Sequence, residues 1–354
     1  MPEQLVISID AMGGDHGVSV VIPAVGRAAQ ALKGRGVRFL LHGDQHAIEQ
    51  ALAKVPHAVQ LCTIHHADRV VAMDEKPAQA MRRGKGTSMW NAIEAVREGK
   101  AGAVVSAGNT GALMAMSKLI LRMAAPELDR PAIVVDWPTS RGKTAVLDAG
   151  ANVECDAARL VEFAIMGAAH HRALYGTERP TVGLLNVGSE DEKGHDDVKG
   201  AHRILRETAL DFDYRGFVEG TDISKGTVDV VVTDGFTGNV ALKTAEGLAG
   251  FFISELRASL TSSLRNKIGA AIAAPALRAL RDRLSPPAGG PLLGLNGIVI
   301  KSHGGADARA FGDAIGVAAD LAQSGFAEEI ARSLQRLTAV VSQETAAEPE
   351  RASE

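Results

Sequence analysis

Short apolar runs alternate along the chain with segments whose apolar positions recur at helical spacing, so strands and helices are expected in turn. Leu5 to Ile9 is an apolar run ending at Asp10, followed by a helix over Val18 to Lys33, a strand over Val37 to Leu41 and a helix over Ala47 to Lys54. Val59 to Ile64 is expected as a third strand, and the polar stretch from His65 to Lys85 as a surface excursion with a short helix near Ala78 to Arg83. Thr87 or Ser88 caps a helix from Met89 to Glu98. Ala103 to Val105 then forms a buried strand, and Ala112 to Met123 a helix.

After Pro126 the texture changes, and a lobe boundary is expected nearby. Ala132 to Asp136 and Lys143 to Leu147 form an antiparallel hairpin across a Pro-Thr-Ser-Arg-Gly turn. Asp156 caps a helix to about Ala173, Thr181 to Leu185 is a strand, Asp197 to Glu207 a helix, and Tyr214 to Glu219 and Val228 to Val232 are strands. Leu242 to Leu284 is nearly all helix, interrupted at Pro275, and Ser285 to Asn296 is a Gly/Pro loop. A strand at Ile298 to Ile300 and helices at Ala308 to Gln323 and Ala327 to Val340 follow.

Two βαβ series imply an α/β, three-layer α/β/α sandwich with a mostly parallel sheet. One two-lobed catalytic domain is expected over residues 1–341, with a disordered tail over 342–354. No internal repeat is visible.

Composition narrows the function. Apolar content of 46% and charged content of 23% describe a soluble globular chain, and 4% aromatic residues supply no stacking platform for single-stranded nucleic acid. A net charge of −4 gives no global basis for nucleic-acid binding, so any anion site must be local. Cys62 and Cys155 form no disulfide framework, and together with the lack of a leader or an apolar run of spanning length they lead us to expect a cytoplasmic protein.

Six expected strand ends share one design, an apolar strand running into glycines mixed with polar residues: Asp10 to Asp15, Ser106 to Gly111, Asp148 to Asn152, Asn186 to Gly194, Asp234 to Asn239 and Lys301 to Gly305. In a parallel sheet the carboxyl ends lie along one edge, so these loops are expected to converge on one crevice. The stretch Asp229 to Gly247 is the fullest case, with Asp234, Thr237, Asn239 and Lys243 beside a helix start that suits an anion, although a plain helix cap explains the same residues.

None of the junctions carries a nucleotide fingerprint, since no G-x-G-x-x-G follows the first strand and no P-loop occurs. No metal is expected either: His65-His66 and His170-His171 are adjacent pairs that suit surface or packing positions, not one ion. No G-x-S-x-G elbow is present, and Cys155 has no neighbouring histidine, so a small structural residue explains it better than an acyl acceptor. The remaining amides, hydroxyls, backbone N–H groups, Lys193, Lys243 and His303 suit holding phosphate or an oxyanion, with no cofactor and no covalent enzyme intermediate.

Glu255 to Leu284 is a separate feature. Leu256, Leu260, Leu264, Ile268 and Ile272 repeat every four residues among Arg257, Arg265, Lys267, Arg278, Arg281 and Arg283. Such a basic amphipathic helical pair packs on the core or a second subunit, or projects to meet anionic lipid or an acidic protein.

The motifs D-A-M-G-G-D, S-A-G-N-T-G-A-L, L-D-A-G-A-N, L-L-N-V-G-S-E-D-E-K-G, V-T-D-G-F-T-G-N-V-A-L-K and I-K-S-H-G-G-A-D-A, in this order, resemble the bacterial phosphate acyltransferases that act on acyl-carrier-protein thioesters in phospholipid synthesis. The likeness spans roughly Leu5 to Leu337. One departure is Gly305, where the family more often has serine, and it removes one hydroxyl.

The resemblance implies a homodimeric fold similar to phosphotransacetylases and isocitrate-type dehydrogenases, with a cleft between lobes. It implies that inorganic phosphate attacks the thioester of acyl-carrier-protein and releases acyl phosphate for a membrane glycerol-3-phosphate acyltransferase. Lys193, Asp234, Asn239 and His303 are then the expected catalytic residues. Substrate is expected on Asp10, Gly13, Gly14, Asn109, Thr110, Asn152, Asn186, Gly235, Thr237 and Lys243, with Asn109, Asn152 or Asn239 meeting the oxyanion and Lys193 the phosphate. Arg257, Leu264, Arg265, Lys267, Ile268, Arg278 and Arg281 become candidates for contact with acidic carrier protein or with the inner face of the cell membrane. A coenzyme A-linked phosphotransacetylase, a dehydrogenase of similar fold and a non-enzymatic peripheral membrane scaffold are the alternatives; the six polar junctions speak against the scaffold.

Overall fold

The computed structural model describes residues 4–125, 128–284, 289–326, 330 and 332. The first series is β1 (Leu5–Asp10), α1 (Val18–Ala31), β2 (Val37–Gly43), α2 (Gln45–Leu52), α3 (Pro56–Val59), β3 (Cys62–His66), α4 (Pro77–Arg83), α5 (Ser88–Arg97), β4 (Ala103–Ser106) and α6 (Thr110–Leu121). The third strand lies later than expected, because Pro56 at the first turn starts a short helix through Val59. Thr87 is the cap of α5, its hydroxyl accepting from the Trp90 N–H.

The hairpin β5 (Ala132–Thr139) and β6 (Gly142–Leu147) is antiparallel as expected. It leads to α7 (Ala157–Tyr175), capped by Asp156, then β7 (Thr181–Leu185), α8 (Asp196–Glu207), β8 (Asp213–Val218), α9 (Gly220–Lys225) and β9 (Val230–Val232). The chain finishes with α10 (Gly235–Thr261), α11 (Leu264–Leu284), β10 (Gly289–Leu293), β11 (Ile298–Ser302) and α12 (Ala308–Gln323). The expected helix at 327–340 and the tail beyond lie outside the described residues.

All eleven strands join one sheet in the order β3-β2-β1-β4-β11-β10-β5-β6-β9-β7-β8. Its strands send alternate residues to opposite faces: Ala103 and Val105 pack with α1 and α12, while Val104 packs with Met89, Leu113 and Met116 of α5 and α6. Helices therefore cover both faces, the three-layer sandwich expected, with a mostly parallel sheet.

β10 occupies the middle of the Gly/Pro segment taken from sequence as a loop. It runs antiparallel between β11 and β5, and a Cβ on Gly290 would stand 2.0 Å from the Val134 carbonyl oxygen, so glycine is what lets the strands approach. This insertion decides the polarity of the sheet. β5 keeps the sense of β1 and β11, and the hairpin then turns β6 over, so β6, β9, β7 and β8 all run opposite to the first group. The six polar junctions consequently do not share one edge; they form two sets of three that point in opposite senses.

The long helical segment also breaks elsewhere than Pro275, which lies inside α11. The turn comes at Ser262 and Ser263, where hydroxyls take over backbone groups: Ser262 Oγ donates to Ser259 O at 2.8 Å, and Ser263 Oγ accepts from Asn266 N–H at 3.1 Å. The four-residue leucine repeat is thereby divided between two helices. Leu256 and Leu260 face Leu277 and Leu280 across an apolar groove of about 310 Å³, while Leu264, Ile268 and Ile272 are left 77%, 57% and 78% exposed.

Candidate functional site

Three junctions meet at the carboxyl ends of β1, β4 and β11. Asp10 is buried there, and Ser106 Oγ donates to its Oδ2 at 2.7 Å while accepting from Gly108 N–H at 3.0 Å. Burial raises the Asp10 carboxyl above its usual range, against hydrogen bonds from Ser88, Ser106, Met12 and Gly13. A Cβ at Gly13 would stand 2.5 Å from Asp10 Oδ2 and 2.9 Å from Gly108 N, so the turn can fold over the carboxylate only as glycine. Gly14 follows, and the Asp15 N–H donates to Gly304 O at 2.9 Å, tying the loop after β1 to the loop after β11.

Lys301 enters the same end, beside Ser106 in the β4–β11 register. Its ammonium lies 3.5 Å from Ala107 O and also donates to Ser302 O. Burial pushes it down to about 8, Asp15 and Asp10 oppose that, and Lys243 adds to the fall. Sequence reasoning placed Lys301 in a junction without giving it a role.

At His303, Nδ1 accepts from the Gly305 N–H at 3.2 Å, which puts the proton of a neutral ring on Nε2. Lys243 Nζ stands 3.4 Å from that Nε2 and 2.7 Å from Glu246 Oε2. Two donors at this distance do not hydrogen-bond each other, and both can donate to one shared acceptor.

The opposed set gathers around Asp148, fully buried at the end of β6. Its carboxylate accepts from Ile133 N at 2.9 Å, Gly150 N at 3.3 Å, Ala151 N at 3.1 Å, Asn152 N at 2.6 Å and Asn152 Nδ2 at 2.9 Å. Asn152 also donates from Nδ2 to Pro131 O at 3.0 Å, and its carbonyl accepts from Gly235 N–H at 2.7 Å. Asp234 caps α10, with Oδ1 accepting from Thr237 N at 2.8 Å and Oδ2 from Thr237 Oγ1 at 2.7 Å.

These contacts sort the expected site residues. Asn152 uses its amide hydrogens inside the fold, and so does Asn109, which caps α6 and donates to Met73 O at 2.8 Å and Glu75 O at 3.0 Å. Both therefore lack the free donors expected of them for an oxyanion; they shape the loops instead. Thr110 opens α6, and Asp234 with Thr237 is a self-satisfied cap. Asn239 differs: it is exposed, one turn beyond the cap, against Gly150, and among the described residues its amide makes no hydrogen bond. Asn186 donates to Lys193 O at 3.0 Å, and exposed Lys193 pairs with Glu190 at 2.8 Å. Among the described residues neither makes a hydrogen bond or ion pair with His303 or Lys243.

Cys155 is partly buried, its thiol pushed up to about 12 by burial and by Asp148, which suits a structural residue. His170 packs inside α7 with Nε2 3.0 Å from Asp136 Oδ1, and His66 accepts from Gln45 N–H.

This architecture is that of the phosphotransacetylases. A phosphotransacetylase from Streptococcus pyogenes superposes with a TM-score of 0.62 at 18% identity, covering 91% of this chain and 95% of that one. The phosphotransacetylase EutD from Staphylococcus aureus gives 0.59 at 16%, covering 90% and 94%. A family model described as fatty acid synthesis protein matches residues 5–329. Proteins named phosphate acyltransferase are similar along nearly the whole chain: that of Caulobacter vibrioides is 67% identical over 96% of this chain and 94% of its own, and that of Phenylobacterium zucineum 63% identical over 97% of each. The chain belongs to this phosphate acyltransferase family and is an acyltransferase.

Proposed function

We propose that the chain transfers a long-chain fatty acyl group from the thioester of acyl-carrier-protein to inorganic phosphate, giving acyl phosphate for phospholipid synthesis. An oxygen of HPO₄²⁻ attacks the carbonyl carbon, the C–O bond forms, the C–S bond breaks, and the proton of the phosphate ends on the departing sulfur. The reaction balances in atoms and charge without a cofactor. The protein must hold a dianion against the carbonyl and stabilise the oxyanion that forms.

Helix α10 carries this reading. It starts at the capped Asp234, presents the unbonded Asn239 amide one turn on, and brings Lys243 to 3.4 Å from His303 in the other set of junctions. Asn239 is then the oxyanion donor, and Lys243 and His303 lie on the phosphate side.

The hairpin α10–α11 supplies partner surfaces. Leu264 and Ile268 stand exposed beside Arg265 and Lys267 near its turn, a composition that suits shallow insertion into anionic lipid at the inner face of the membrane. Among the described residues no helix is long and apolar enough to cross a membrane. Phe251, 64% exposed on the stem of α10, suits a second copy of the chain, and Arg257 and Arg278 suit acidic carrier protein.

The test incubates purified protein with long-chain acyl-carrier-protein and phosphate and traps acyl phosphate as hydroxamate. Phosphate-dependent product is expected. No product overturns the proposal, and product from acetyl-coenzyme A alone favours the coenzyme A-linked alternative.

A further inference from the structure

We infer that Lys301, with Lys243 and His303, forms the pocket that receives inorganic phosphate, and that Lys301 is its principal anion-binding residue. This rests on the reading of phosphate as acyl acceptor and adds to it the residues that hold the phosphate.

An ammonium withdrawn from water is ordinarily matched by a carboxylate in contact. Lys301 is not: its nitrogen touches two main-chain carbonyls, Ala107 O and Ser302 O, and among the described residues it makes no ion pair. Asp10 and Asp15 act on it electrostatically from the loop after β1, but the Asp10 carboxylate is engaged by Ser106 Oγ. Two of the three ammonium hydrogens have partners, and one is left for a ligand.

A second cation stands close by. Lys243 reaches this corner from α10, near enough to disfavour the charge on Lys301, so the two ammoniums repel each other until an anion lies between them. His303 contributes the Nε2 proton fixed by the Gly305 N–H. The loops after β1 and β11 that frame this corner pack closely through their glycines, a Cβ at Gly14 standing 3.0 Å from Gly304 O, and the Asp15 N–H donates to Gly304 O at 2.9 Å. The ammonium of Lys301, that of Lys243, which also pairs with Glu246, and the Nε2–H of His303 are the kinds of donor that match a tetrahedral dianion. Lys193 and Lys243 are both exposed and each pairs with a glutamate, Glu190 and Glu246; Lys301 is the partly buried ammonium whose contacts are main-chain carbonyls, and it makes no ion pair among the described residues.

The experiment compares the wild-type chain with Lys301→Met and Lys301→Arg. Binding of inorganic phosphate is measured by calorimetry without acyl donor, and the KM for phosphate and for acyl-carrier-protein is measured in the hydroxamate assay. Losing a charge-assisted contact should weaken phosphate binding and raise its KM by about tenfold or more in Lys301→Met. The donor KM should stay within about twofold, and Lys301→Arg should recover much of the loss. Wild-type phosphate affinity should also fall as pH rises past about 8, where Lys301 loses its proton, and Lys301→Arg should remove that fall. The charged groups acting on Lys301 are Asp10 on β1, Asp15 in the next loop and Lys243 on α10, and Lys243 is itself paired with Glu246 and 3.4 Å from His303. Circular dichroism checks that both variants fold.

Unchanged phosphate binding in a folded Lys301→Met overturns the inference while leaving the acyl transfer intact. Phosphate bound through Lys301 by a protein that forms no acyl phosphate sinks the proposed reaction and leaves the pocket standing.

Discussion

Lys301→Met should make the ligand-free protein more stable while it loses phosphate. The wild-type fold holds this ammonium where its pKa is about 8, against a usual value of 10.5. A lysine whose folded value is depressed gains stability above its unfolded value and loses it as pH falls through its folded value. Below pH about 8 the charge is present in both states, so the full penalty for burying it is felt at neutral pH. The shift converts to about 3 kcal/mol at 1.36 kcal/mol per unit, and partial access to solvent brings a usable figure to about 2–3 kcal/mol.

Methionine keeps an unbranched apolar stem in the same space and removes the charge. At roughly 2 °C per kcal/mol for a chain of this size, Tm should rise by about 4–6 °C at pH 7, and the gain should shrink as pH climbs from 8 toward 10.5. Thermal unfolding in phosphate-free buffer at pH 7 and at pH 9.5 measures it. Added phosphate should narrow the difference at pH 7, because it stabilises only the protein that binds it. A Tm that falls at pH 7, or a gain that grows with pH, refutes the reasoning.

Asp148→Asn turns an amide NH₂ toward two donors of Asn152, and at about 1–3 kcal/mol for each buried donor left unpaired the loss is about 2–6 kcal/mol, seen as a Tm lower by about 4–12 °C. Gly305→Ser should fold normally, with Tm unchanged or up to about 2 °C higher, since its Cβ meets Asp15 Oδ2 at 3.4 Å and His303 Nδ1 at 3.7 Å, ordinary contacts. Asn239→Ala should lower turnover by about 10²-fold, the scale of a lost oxyanion donor, with an unaltered melting curve because the side chain is exposed and unbonded. Replacing Leu264 and Ile268 together with glutamate should abolish flotation with anionic liposomes and leave phosphate binding as it was; flotation at the wild-type level would refute the lipid role of the hairpin.

Local grammar was easy to read. Thr87 and Asp156 each cap the helix expected of them, because a short polar side chain before an apolar periodic run has few other uses. The hairpin of β5 and β6 was equally plain, and it already held the signal that the second βαβ series runs the other way. Drawing that consequence needed β10, and Gly-Gly-Pro concealed β10, since these residues lack the branched or aromatic side chains that mark a strand. The free amide of Asn239 and the occupied amides of Asn109 and Asn152 look alike in sequence: each follows a strand in a glycine turn. What separates them is whether a carbonyl from a distant loop, Met73 or Pro131, lies within reach. Lys301 was hidden for the same reason, its burial being set by a neighbour almost two hundred residues away, as Ala107 lies opposite it.

Helix α10 has the geometry of a lever, anchored beside Asp234 by the Gly235 N–H to Asn152 O and ending at the hairpin turn. At 1.5 Å per residue, Lys243 lies about 14 Å along the helix from Asp234 and Thr261 about 41 Å, so a tilt of about 5° about Asp234 would carry the turn about 3.5 Å and the backbone at Lys243 about 1 Å. Whatever lodges against the far end of the hairpin is thereby geared down, roughly threefold, into the placement of one charge beside His303.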